Sequence, residues 1–171
     1  MLKRLSLIVT ILISCVGCDQ TTKSIAKTYL SETETVSLLR GSVRLRIAKN
    51  YGAFLSLGES MHGTIRSALL TTGVATVLAV LFAYCLAATP ANPVVLPALG
   101  IVIGGGLSNL IDRLLYGGYV VDFLNVGIGP VRTGIFNVAD IFIVTGVLLF
   151  VFNDRLSKEL LTRRSGRTLD A

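Results

Sequence analysis

Asp122 and Asp140 are the residues of this 171-residue chain whose surroundings best suit chemistry. Asp122 lies in Val120-Val121-Asp122-Phe123-Leu124, an acid inside an apolar run with no basic neighbour within several residues. Asp140 follows Asn137 at i+3 and is the one ionisable residue between positions 133 and 153. Two carboxylates without an adjacent cation suit general acid–base hydrolysis. Held close together, they repel until one pKa rises and the pair shares a proton. One then takes a proton from water while the other gives one to the scissile carbonyl. The competing reading is structural, with the acids capping helices or pairing with arginines. Asp19 and Asp112 fit that reading better. Asp19 and Lys23 are spaced i, i+4 for an ion pair, and Asn109, Asp112 and Arg113 share one helical face, so that Arg113 is neutralised locally.

Other chemistries are poorly served. His62 is the only histidine, which leaves no His-containing metal cluster and no serine–histidine relay. Cys15, Cys18 and Cys85 lie in apolar stretches, where burial as small hydrophobes is expected, and no basic partner stands near Cys85 to activate it. Gly104-Gly105-Gly106 is not followed by a phosphate-loop lysine and reads as a close helix–helix contact. The net charge of +6 does not imply nucleic acid, because many basic residues cluster at the chain ends (Lys3, Arg4; Arg155, Lys158, Arg163, Arg164, Arg167).

The elements that must position the acids are membrane spans. Hydrophobic residues make up 52% of the chain and charged ones 15%, with a mean hydropathy of +0.72, and residues 67–111 contain no Asp, Glu, Lys, Arg or His. That excludes disorder, a disulfide scaffold and an ordinary soluble enzyme. A bilayer core takes roughly 20 apolar helical residues, and four stretches qualify: about 5–22, 67–88, 94–111 and 136–152. Thr89-Pro90-Ala91-Asn92-Pro93 is a hairpin between the second and third. Lys3 and Arg4 before the first span and the basic tail 154–171 after the fourth place both termini in the cytoplasm. The loop 27–66 also carries six basic residues against three acidic ones, which pulls the other way.

That loop has a β pattern. Val43-Arg44-Leu45-Arg46-Ile47 alternates apolar and basic, the period of a half-exposed strand. Residues 36–39 are a possible partner through a turn at Arg40-Gly41-Ser42, and 53–57 a possible third strand. A small antiparallel sheet on the outer surface would turn its arginines towards lipid headgroups or water. The second outer loop, 116–134, reads as short extended pieces around glycine turns. With this topology Asp19, Asp112, Asp122 and Asp140 all fall near the outer face, from three helices and one loop, a placement that marks function at membrane depth.

The ordered set Asp19-Gln20-Thr21-Thr22-Lys23, Asn50-Tyr51-Gly52-Ala53, Gly105-Gly106-Leu107-Ser108-Asn109-Leu110-Ile111-Asp112-Arg113, Val120-Val121-Asp122-Phe123 and Phe136-Asn137-Val138-Ala139-Asp140 resembles the motifs of lipoprotein signal peptidase, signal peptidase II. The match spans essentially the whole chain. The resemblance implies a single-domain aspartic endopeptidase of the bacterial inner membrane, with four transmembrane helices and a small outer β-cradle. It would remove signal peptides from diacylglyceryl-modified prolipoproteins by cutting before the lipidated cysteine. It makes Asp122 and Asp140 the catalytic pair. Asn50, Gly52, Asn109, Arg113 and Asn137 match positions that line or support the substrate site, and Asp19, Lys23 and Asp112 match structural or substrate-orienting ones. It implies no metal or cofactor, prolipoproteins and membrane lipids as partners, no nucleic acid, and a monomer.

The chain departs from the pattern at Ser108, where glycine is common, at Phe54 and Leu55, and at Ile141, where serine is frequent. Two other readings compete. Cys15-Val16-Gly17-Cys18 after Lys3-Arg4 is similar to a lipobox, which would make the chain a lipoprotein. Cys15 stands where that motif usually has leucine, and three further spans do not suit a lipoprotein. A proton-coupled carrier could use Asp19, Asp122 and Asp140 as relays, but relay acids should be spread through the membrane, and here the cytoplasmic halves of the spans carry none.

Overall fold

The computed structural model describes residues 2–52, 63–88, 90 and 92–167, the backbone alone for residues 64, 67 and 154–167. The chain is mostly helical: α1 is Leu2–Tyr29, α2 Gly63–Ser67, α3 Val74–Ala87, α4 Val95–Leu115 and α5 Val138–Arg167. A π-helical turn at Ala68–Gly73 joins α2 to α3, so that 63–87 is one helical run. Ala68–Ala87 and Val95–Leu115 are long and apolar enough to cross a membrane, and Val138–Asn153 is a shorter apolar helix.

These helices occupy the four expected stretches with shifted ends. α1 runs seven residues beyond position 22, because Lys23 is neutralised inside the fold and nothing from Ser24 to Tyr29 breaks a helix. α5 continues to Arg167, so most of the basic tail is helical. The two prolines do separate α3 from α4. Pro97 lies in the first turn of α4, where its missing N–H would have no intrahelical partner anyway. Asn92 Oδ1 accepts from the Val94 N–H at 3.0 Å to shape the turn. At this end Arg4 of α1 donates to the last carbonyls of α3, to Leu86 O at 3.2 Å and to Ala88 O.

Helix α4 is the centre of the bundle, and the three glycines let its neighbours approach. A Cβ on Gly104 would lie 2.7 Å from Cys15 Cβ of α1, one on Gly105 2.5 Å from the Ala139 carbonyl of α5, and one on Gly106 2.7 Å from Leu78 of α3. Cys85 packs with Ile8, Leu99 and Ile103 in an apolar core. Cys15 is buried too, but Cys18 is exposed, contrary to the expectation from its apolar surroundings. It lies within the unbroken helix α1, on the face turned away from the bundle.

The sheet is four-stranded and antiparallel in the order β1 (Val36–Leu38), β2 (Val43–Asn50), β3 (Val120–Ile128), β4 (Val131–Arg132). The β1–β2 hairpin forms as the alternation predicts, its turn taking positive φ at Leu39, Arg40 and Gly41. The possible strand at 53–57 lies outside the described residues. The third strand is β3, from the second loop, and Asp122 therefore sits on a strand and not in a loop.

Candidate active site

Asn137 opens α5 and places Asp140. Its Oδ1 accepts from the Asp140 N–H at 3.0 Å, while Asp140 Oδ2 accepts from the Asn137 N–H at 3.1 Å. This reciprocal box satisfies two of the orphan donors at the helix start. Because the Asn137 oxygen is so engaged, its amide nitrogen must face away, and it donates to Asp122 Oδ1 at 2.6 Å and to Asn109 Oδ1 at 3.1 Å. One buried asparagine thus holds both carboxyl groups. The Phe136 carbonyl, accepting from the N–H groups of Phe123 and Leu124 at 3.1 and 2.8 Å, ties the start of α5 to β3 from the backbone side.

Asp122 reaches the site through a β-bulge. Leu45 pairs with Leu124 but Ala48 pairs with Asp122, so β2 has Arg46 and Ile47 where β3 has Phe123 alone. The Ile47 N–H, displaced from the ladder, donates to Ser31 O at 3.0 Å. Opposed residues share a face and side chains alternate along a strand. The bulge therefore puts Ala48 and Asn50 on the face of Asp122. An unbulged ladder would put Ile47 and Lys49 there. Asn50 Nδ2 donates to Asp122 Oδ2 at 2.8 Å, oriented by its own Oδ1, which accepts from Gly52 N–H at 2.9 Å. Burial first, and then the charge of Asp140, push the Asp122 carboxyl up to about 7 against the lowering effect of these two amide donors.

Behind the pair stands a charged cluster. Lys23 Nζ lies 2.7 Å from Asp19 Oδ2 and 2.9 Å from Asp112 Oδ2, and it donates to Asn109 Oδ1 at 2.9 Å. With that oxygen held by an ammonium, Asn109 can turn only its nitrogen to Asp140 Oδ1, at 3.0 Å. Asp19 Oδ1 accepts from the Ala139 N–H at 2.8 Å in the first turn of α5. Asp112 Oδ2 accepts from the Val121 N–H at 3.0 Å, next to Asp122. Each acid of the cluster thereby anchors the backbone beside one residue of the pair.

The ten residues singled out from sequence come together. The expected pairing of Arg113 with Asp112 does not form: Asp112 is taken by Lys23, Gln20 and Val121, and Arg113 turns the other way. Arg113 Nη2 donates to Gly52 O at 2.8 Å, and its buried Nε has no partner among the described residues. Gln20 and Ser108 were not expected in the network. Gln20 Nε2 donates to Asp112 Oδ1 at 2.7 Å, and the Ser108 hydroxyl donates to Asp19 Oδ2 at 2.7 Å. The signal for Gln20 was its place beside Asp19 in a span. Ser108, noted as a departure, is fully buried and gives Asp19 another donor. Phe54 and Leu55 lie outside the described residues, and Ile141 is exposed on α5. Among the described residues no group of three or more His, Cys, Asp or Glu is placed to hold a metal ion.

A profile of the family described as Signal peptidase (SPase) II matches residues 11–154. The chain belongs to the signal peptidase II family. Within that family it is 35% identical over 136 residues to a lipoprotein signal peptidase of Acinetobacter baylyi, covering 79% of this chain and 74% of the relative. It is 33% identical over 185 residues to one of Bifidobacterium adolescentis, covering 97% and 87%. A bacterial membrane enzyme structure solved by the in meso method at 2.3 Å superposes with a TM-score of 0.75 at 25% identity, over 89% of this chain and 88% of that one. As a signal peptidase II homologue the chain carries the carboxyl pair on β3 and α5, the two elements that the Phe136 and Asn137 contacts join.

Proposed function

We propose that this chain is an aspartic endopeptidase in which Asp122 and Asp140 share one proton and activate one water. Its family removes signal peptides from prolipoproteins, and that is its activity. The observation that carries the catalytic assignment is Asn137, whose side chain and backbone hold both carboxyl groups at once. Asp122, with its raised pKa, is the protonated partner and Asp140 the ionised one. Water attacks the carbonyl carbon before the diacylglyceryl cysteine as Asp140 takes a water proton and Asp122 protonates the carbonyl oxygen. The tetrahedral species then collapses, the C–N bond breaks, and the nitrogen leaves as the amine of the cysteine with a proton from the pair. Arg113 Nε has a donor to offer the substrate backbone, as do the asparagines once the acids change charge.

The same reading takes the whole chain as one domain with four spans, α1, the 63–87 run, α4 and the apolar part of α5, in the bacterial inner membrane. Both termini are cytoplasmic, the acid pair lies near the outer face, and the protein acts as a monomer. The substrate enters sideways between helices with its lipid left in the outer leaflet. The test is cleavage of a diacylated prolipoprotein by the purified full-length protein in detergent. Wild type cuts before the lipidated cysteine, while D122N and D140N fold and fall by at least about 10³-fold, the scale of losing an acid–base group. Cleavage that persists in both variants, or a folded wild type that cuts nothing, would overturn the assignment.

A further inference from the structure

The outer half of the sheet has two unlike faces. Register places Val36 opposite Leu45, and Leu38 opposite Val43 and through it Val126, on one face; Ser37, Arg44 and Asn125 share the other. On the apolar face Val36, Leu38 and Val126 are exposed, and Leu39 in the turn is 76% exposed. A two-sided sheet with an uncovered apolar face beside a bundle of membrane-type helices has the amphipathic character of an element that rests at a bilayer interface. Nearby, Tyr116 and Tyr119 stack at 5.5 Å and Tyr51 packs tilted on Tyr119 at 5.4 Å, with Lys27, Lys49 and Arg66 over the ring faces, the composition of an interfacial belt.

The polar face of this sheet holds an open groove of about 370 Å³ lined by Thr35, Ser37, Arg44, Arg46, Asn125 and Ile135. No acid lines it. Glu32 is taken by Lys49 at 2.7 Å. Arg132 is also spoken for, its guanidinium donating to Gly41 O and to Asn125 Oδ1 at 2.8 and 2.5 Å. Arg44 and Arg46 are exposed and make no hydrogen bond or ion pair among the described residues. Two free guanidinium groups in one groove with the hydroxyl residues Thr35 and Ser37 match the charge and the donor chemistry of a phosphodiester.

We propose that Arg44 and Arg46 form a binding site for the phosphate of an anionic phospholipid headgroup, which moors the sheet to the membrane surface. The site is separate from the acid pair and does not depend on the peptidase assignment. It is tested by native mass spectrometry of the delipidated full-length protein, offered phosphatidylglycerol or phosphatidylcholine in neutral detergent. Wild type retains phosphatidylglycerol about 10- to 30-fold better, as two surface arginines allow. The R44Q/R46Q protein loses that preference, and K3Q, at the opposite end of α1, keeps it within about twofold. Because neither arginine is bonded, the double variant keeps the wild-type melting temperature in neutral detergent. In wild type alone, rising ionic strength weakens the preference. Equal retention of both lipids, an unchanged preference in R44Q/R46Q, or a preference indifferent to salt would overturn the proposal. So would equal thermal protection by inorganic phosphate, which would assign the groove to a soluble anion, or by an acidic peptide, which would assign it to a polypeptide.

Discussion

The oxygen of Asn137 faces the helix it caps, and this fixes what its nitrogen can do: donate to Asp122 and thereby favour an acceptor there. The carboxyl nevertheless stands at about 7, because burial and Asp140 outweigh the amides. Activity that needs its proton should fall above about pH 7, kcat/KM dropping about tenfold per further unit; a flat profile to pH 9 would contradict a protonated Asp122. Stability carries the same sign. The folded pKa lies above the ordinary 3.8, so between about 4 and 7 the folded state holds a proton that the unfolded chain has lost. Wild-type stability therefore declines across that window, relative to D122N, and levels off above it; melting curves of the two proteins from pH 4 to 8 read the difference. At this scale the sequence was informative about residue type and poor about partners. Asp122 and Asp140 stood out because apolar neighbours leave an acid conspicuous. The Arg113–Asp112 pairing failed because helical spacing sees one helix, whereas Asp112 is claimed by Lys23 from α1 and a backbone N–H from β3.

Among the elements, α4 shows how finely the packing is set. Gly105 and Gly106 are adjacent in sequence but face different neighbours, a backbone carbonyl of α5 and the end of a Leu78 side chain. Gly105→Ala should therefore push α5 away, displace Asp140 and cost about 1–3 kcal/mol with a fall in cleavage, while Gly106→Ala, relieved by a turn of Leu78, costs less than about 1 kcal/mol. Thermal unfolding in detergent and a cleavage assay compare them; equal effects would mean that the carbonyl contact is not limiting. The helices were legible as apolar stretches and their ends were not, since charge inside α1 looks like a terminus until its partners are known. The β1–β2 hairpin was legible from alternation. β3 was legible only as short extended pieces, because Gly127 and its acid interrupt any simple period, and because its partner lies some seventy residues earlier.

For the molecule as a whole, Lys23 with Asp19 and Asp112 is the buried knot that joins α1, α4, the start of α5 and β3. Lys23→Met leaves two buried acids without their cation and should destabilise by about 3–5 kcal/mol; neutralising the whole cluster as D19N/K23M/D112N should recover much of that loss. Denaturant unfolding of the three proteins decides it, and a single variant as stable as wild type would show the cluster to be dispensable. The bulge in β2 has a different bearing. It acts as a reading-frame shift in a strand, with the residues before it addressed to the membrane surface and those after it to the acids. The hairpin before the bulge is thus free to lengthen, shorten or change its charges as lipids change between hosts. A single-residue insertion between Ala48 and Lys49, by contrast, would move Lys49 into the register of Asn50, on the face of Asp122.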